Sequence, residues 1–236
     1  MWKCSKKNKP AFILFFLVVE FSSIVLLPYI SYAQEKFQIY SSISILDADD
    51  LAILSMQKGT YEEEIDISHL TVTGLTLGKS TLTDVRNKLG MAAYYKNKLD
   101  GDEADDELYF SSNIKGDDTV MVFSSGTYGG WEYIDGFSII TLGQIDTRQI
   151  KPAPSPLITK QISTRSGLRL GISPNELETI MGKKPSAIKG NTIFYFFHKA
   201  RIGKDSDYDI NSQVVAKFKN GKLTSLSVDL DDFYAH

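Results

Sequence analysis

Thiols are almost absent from this chain: the only cysteine among its 236 residues is Cys4. A disulfide within one chain and a metal site built on paired cysteines are therefore both excluded. Histidine is nearly as scarce, with residues at 69, 198 and 236. No His-x-x-x-His pair and no Gly-x-Ser-x-Gly elbow is spelled out, so no familiar hydrolase motif points to an enzyme. The expectation is a non-enzymatic protein without cofactor. The enzymatic alternative is a hydrolase whose site brings His198 beside a serine and a carboxylate from distant positions.

An excess of positive charge is missing too. Lys and Arg total 26 against 29 Asp and Glu, which disfavours nucleic acid or anionic lipid as a general partner.

What is present begins with a leader. Lys3, Lys6, Lys7 and Lys9 precede the apolar run 11–19, and a second apolar run, 24–27, leads to Pro28 and Ser31-Tyr32-Ala33. Positive, then apolar, then small-x-small is the order of a secretory signal peptide. Glu20 interrupts the apolar run, and a carboxylate at the centre of a membrane span costs about 2.5–3.5 kcal/mol. Cleavage after Ala33 is therefore expected over a retained anchor. It removes four Lys and one Glu and leaves a net charge of −6 with no thiol. The expected product is secreted or periplasmic, with no integral membrane span.

The stretch GLTLGKS, Gly74 to Ser80, resembles a phosphate-binding loop one residue short. A Walker loop needs four residues between its first Gly and Gly-Lys-Ser/Thr, so that successive N–H groups curl around phosphates. Only three separate Gly74 from Gly78, and the position that needs a glycine is Thr73. A second copy explains the stretch otherwise. GLTLGKSTLTDVRNKLG (74–90) and GLRLGISPNELETIMG (167–182) share their glycines and a serine, but Ile172 replaces Lys79. What they share is a helix start. Ser173 and Glu176 form a capping box around Pro174, and Thr81 with Asp84 forms a weaker one after Ser80. Apolar residues then fall on one helical face, until Gly90 and Gly182 stop each helix in the left-handed conformation. Gly74, Gly78, Gly167 and Gly171 are thus structural positions.

Runs rich in aromatic and β-branched residues follow each copy: 92–96, 108–112, 119–124 and 133–142, then 192–198, 213–218 and 222–230, with Asn220-Gly221 as a hairpin turn. The last run alternates over most of its length, which predicts one buried and one wet face. Two more strands are expected at 64–73 and 157–164. The fold expected is α+β: two tandem units, each a short helix on one face of an antiparallel sheet. The boundaries are a signal peptide 1–33, an N-terminal extension 34–63 with a possible short helix at 43–57, a first repeat 64–150, a proline-rich linker 151–156 and a second repeat 157–236.

The pattern of Gly-apolar-x-x-Gly-x-Ser, acidic-Val/Leu and Leu-Gly before aromatic strands is similar to one family group. It resembles the small lipoproteins of the outer-membrane barrel-assembly machinery and the secreted β-lactamase inhibitor proteins, which carry two tandem helix-on-sheet units. The resemblance covers about 17 residues well in each copy. It implies that fold and a habit of binding proteins. The chain departs from it in having no cysteine at the cleavage point, no disulfides, and a proline after the Leu-Gly element only in the second copy, at Pro185. No functional residue carries over.

Two acidic stretches invite a Ca²⁺ reading, 100–107 and 205–211. Neither supplies the Gly at position 6 or the Glu at position 12 that an EF-hand needs. Solvated loops are expected, with Asp205, Asp207 and Asp209 the nearest approach to a weak cation site. The binding candidate is Tyr128-Gly-Gly-Trp131-Glu-Tyr133, since Tyr and Trp are the usual anchors of protein interfaces. The alternative is that Trp131 and Tyr133 open a strand and fill the core. The function expected is binding to a protein partner, with envelope assembly or weak Ca²⁺ or small-ligand binding as alternatives.

Overall fold

The computed structural model describes residues 63–98, 104–126, 133–200 and 208–234. The elements are β1 (Thr71–Val72), β2 (Leu75–Thr76), α1 (Leu82–Leu89), β3 (Tyr94–Lys98), β4 (Ala104–Ser112), β5 (Thr119–Ser125) and β6 (Gly136–Thr141). After a 3₁₀ turn at Leu142–Gln144 come β7 (Ala153–Ser155), α2 (Pro174–Met181), β8 (Ala187–Lys189), β9 (Thr192–Ala200), β10 (Tyr208–Lys219) and β11 (Lys222–Tyr234).

The expected pair of α+β units is not the architecture. The described residues are mostly antiparallel sheet with two eight-residue α-helices. One sheet runs β3-β4-β5-β6-β11-β10-β9-β8, with β7 added in parallel to β4. The physical reason lies in the middle: β6 and β11 pair antiparallel, Phe137 opposite Val228 and Ile139 opposite Leu226. Each covers what would otherwise be the open edge of the other's meander, so the halves share one sheet. The proline-rich stretch 151–156 is likewise paired in, through Ala153–Ser155 against Phe110–Ser112.

Two strand expectations also fail. Of 64–73 only Thr71–Val72 is strand, and 157–164 is a series of turns with a single bridge from Thr164 to Val72. Local hydrogen bonds win there: His69 N–H donates to Asp66 O and Ile162 N–H to Thr159 O, which curls the chain before a ladder forms.

Helices and hairpin cover one face of the sheet. Leu82, Val85 and Leu89 of α1, and Leu177 and Met181 of α2, join a core with Leu108, Phe123, Phe137, Tyr195 and Val228. Both helices are closed by reciprocal capping boxes, Thr81 with Asp84 and Ser173 with Glu176. The extra residue in the first copy moves the cap by one. Ser80, aligned with the Ser173 cap, instead accepts from the Thr76 N–H, and Thr81 caps α1. Gly182 stops α2 in the left-handed region, whereas Gly90 ends α1 at φ 109° and ψ 173°.

The repeated glycines have a docking role. Gly78 N–H donates to Ile134 O and Gly171 N–H to Leu223 O, which pins the approach to each helix to the segment leading into β6 in the first half and to β11 in the second. Gly78 has φ 70°, and a Cβ there would come 2.8 Å from Leu230.

The second face of the sheet is not wet. Tyr109, Val120, Val122 and Ile140 form a smaller cluster on it, under Tyr95, Ile145 and Ile150. Along β11, Ser225 and Ser227 turn to this face and are buried as well, which overturns the expected wet side.

Candidate functional site

A strip along α1 carries exposed anchors. Tyr133 sits beside the helix start because its backbone bridges Thr81, while its neighbour Ile134 is buried and bonded both ways, to Gly78 and Ser80. That arrangement leaves the Tyr133 side chain 48% exposed on a fixed backbone. One to two turns along, the guanidinium of Arg86 lies 3.6 Å from the centroid of the Tyr94 ring, which is 44% exposed. Arg86 also donates to the Ala92 carbonyl, so its head group is held over the ring from two sides. Met91, at the turn between α1 and β3, is 78% exposed. From Thr81 to Arg86 the helix rises about 7–8 Å, and Met91 follows the helix stop at Gly90.

A polar node joins the two halves on the same side of the sheet. His69 Nδ1 is 2.7 Å from Ser166 Oγ, which is 2.8 Å from Thr164 Oγ1, and Thr164 Oγ1 accepts from Leu168 N–H. Backbone bonds run alongside, from Arg165 N–H to Thr71 O and from Ser166 N–H to Ser68 O. His69 is buried, and desolvation holds its pKa below the ordinary value against a weaker opposing pull from Asp66. It forms one wall of an open pocket of about 500 Å³, lined also by Glu63, Glu64, Asp66, Met181 and Phe197. Lys183 spans this pocket's rim, 2.7 Å from Glu63 and 4.0 Å from the Phe197 ring centroid.

The hydroxyl of Ser166 is bound on both sides, by an imidazole and by Thr164, and the carboxylate of Asp66 is taken by the Ser68 backbone N–H at 2.7 Å. His198, which the hydrolase alternative would set beside a serine and a carboxylate, is 2.8 Å from Asn211 Oδ1. Among the described residues no group of three or more His, Cys, Asp or Glu is placed to hold a metal ion.

Of the binding candidates, Tyr133 belongs to the α1 strip, while Tyr128 and Trp131 lie outside the described residues, as do Asp205 and Asp207. Asp209 is in β10, opposite Ala200 and Phe233. The acidic run 100–107 is no simple loop, since Asp105, Asp106 and Glu107 are in β4 and Glu107 is buried, accepting from the Tyr109 hydroxyl at 2.6 Å. The register sets Lys96 opposite Asp106. Sequence reasoning missed the Arg86–Tyr94 stack and the His69–Ser166 contact. The first crosses a helix stop and the second spans 97 residues; no local pattern marks either.

No family model, no curated protein and no solved structure matches this chain. Among the described residues no helix is long and apolar enough to cross a membrane.

Proposed function

We propose that this chain is a non-catalytic protein-binding module that acts outside the cytoplasm after loss of its leader. The observation that carries the reading is the α1 strip: Tyr133 and Tyr94 are about half exposed on fixed backbone, with Arg86 stacked on the second ring. Tyr and Arg dominate binding hot spots because they bury large area at little conformational cost. Here the cost is lowered further, since the capping box fixes the helix start and Arg86 is already positioned. The binding mechanism is contact between preformed surfaces, and no bond is made or broken.

The test is affinity capture from cell envelope and medium with the chain lacking 1–33, beside a Tyr94→Ala, Tyr133→Ala double variant. One partner recovered in stoichiometric amount with the parent chain, and lost with a variant of unchanged thermal midpoint, is the expected outcome. Failure of the parent chain to retain anything specific, or equal retention by both forms, overturns the reading.

A further inference from the structure

Three neighbouring strands leave the sheet in the same direction, and each is followed by a large apolar residue that stays in solvent. β7 lies parallel to β4 with Ser155 opposite Ser112, and β6 runs the same way as β4 because both pair antiparallel with β5. Ile114 follows the end of β4, Leu157 the end of β7 and Leu142 the end of β6. The three are between 38% and 52% exposed. A strand spacing of about 4.8 Å puts these exits within roughly 15 Å of one another.

Hydrogen bonds fasten the exits together. Leu142 N–H donates to Asp118 O at 2.7 Å and Lys160 N–H to the Asp117 carboxylate at 2.8 Å, so the segments carrying Leu142 and Leu157 are both tied to the β4–β5 turn. The tips still project. A Cβ added at Gly116 or at Gly143 would meet nothing within 4 Å. Apolar groups on projecting turns suit a flat, yielding surface better than a cleft.

The charge around the patch is positive. Lys115 follows Ile114, Lys160 lies just beyond Leu157, and both are exposed. The register of β11 on β6, with Leu226 opposite Ile139, brings the exposed Lys219 and Lys222 of the β10–β11 turn to this end as well. The ion pairs of the described residues, Arg148–Asp146, Lys183–Glu63 and Lys184–Glu178, engage none of these four. In the β4–β5 turn the Asp117 carboxylate is taken by the Thr119 and Lys160 N–H groups, which leaves Asp118 to oppose them. The negative charge of the chain as a whole does not extend to this end.

We propose that this end of the sheet docks on a bilayer surface bearing anionic headgroups, with Ile114, Leu142 and Leu157 entering the interfacial region and Lys115 and Lys160 meeting lipid phosphates. Shallow apolar insertion and cationic attraction act together on such a surface. Tyr133 precedes β6, at the other end of that strand, so docking leaves the entry end of the strand turned away from the bilayer.

Hydrogen–deuterium exchange tests this on the chain recovered from cells that have exported and processed it, with and without vesicles of mixed phosphatidylglycerol and phosphatidylcholine. The expected result is added protection of amides in 113–118, 142–144 and 157–160 that neither phosphatidylcholine vesicles nor inorganic phosphate produces. Lys115→Gln with Lys160→Gln should weaken vesicle binding about thirtyfold, and Leu142→Ser with Leu157→Ser should weaken it too, each at an unchanged thermal midpoint. Absence of that protection, its appearance with phosphatidylcholine alone or with inorganic phosphate, or full vesicle binding by either variant overturns the proposal. Loss of the partner captured through the α1 strip in the lysine variant also overturns it, since this end then binds protein. Failure on the vesicles with capture intact leaves the protein-binding reading standing.

Discussion

The imidazole of His69 is 6% exposed and 2.7 Å from a serine hydroxyl, so charging it costs more in the folded chain than in the unfolded one. Its folded pKa is therefore depressed below the ordinary 6.5. The unfolded chain binds the proton more readily, and stability from this group is complete above about pH 6.5 and is lost as pH falls through the lower folded value. The urea midpoint is expected to decline as pH is taken from 7 toward 5, and His69→Gln should flatten that decline; an unchanged slope in the variant rules the assignment out. Asp135 works in the opposite direction. Burial raises its pKa against hydrogen bonds from Gly126 and Ser124, so its contribution is present at low pH and lost as pH rises through the raised value. Sequence supplied the scarcity of histidine but not its setting, because burial of His69 depends on Ser166 and Thr164 from the other half of the chain.

Turns and caps were the elements most open to sequence reasoning, with one instructive exception at Thr73. The hairpin from β1 to β2 turns through Thr73 at φ 51° and Gly74 at φ 80°, the two positive values of a type I′ turn. A β-branched residue pays a steric penalty of about 1–2 kcal/mol in that region. The absence of glycine at 73 argued against a tight curl there, yet the chain makes one, because packing of Val72 and Leu75 into the core outweighs the local strain. Thr73→Asn, which creates the favoured Asn-Gly turn, should raise stability by about 1 kcal/mol in denaturant unfolding. No gain would mean that the Thr73 side chain offsets its own strain. By contrast, both capping boxes and the Asn220-Gly221 turn, at φ 53° and 71°, follow from residues within four positions of each other.

The seam between β6 and β11 governs behaviour of the whole molecule. Phe137 lies at that seam opposite Val228, fully buried, in a core that draws on both halves. Phe137→Ala should cost about 3–5 kcal/mol, and the variant should still unfold in one transition, with calorimetric and van't Hoff enthalpies equal. Two resolved transitions would indicate halves that fold separately. The sequence by itself determined the two short helices, their caps, the Asn220-Gly221 turn and most strands, since each depends on neighbours within a few residues. Only tertiary structure decided that the two copies share one sheet, that 153–155 joins it, that the second face is buried, and that Tyr133 stays exposed while Ile134 does not. Strand pairing at a seam, and the side of the sheet that another segment covers, rest on contacts between residues tens of positions apart, and local patterns carry no record of those contacts.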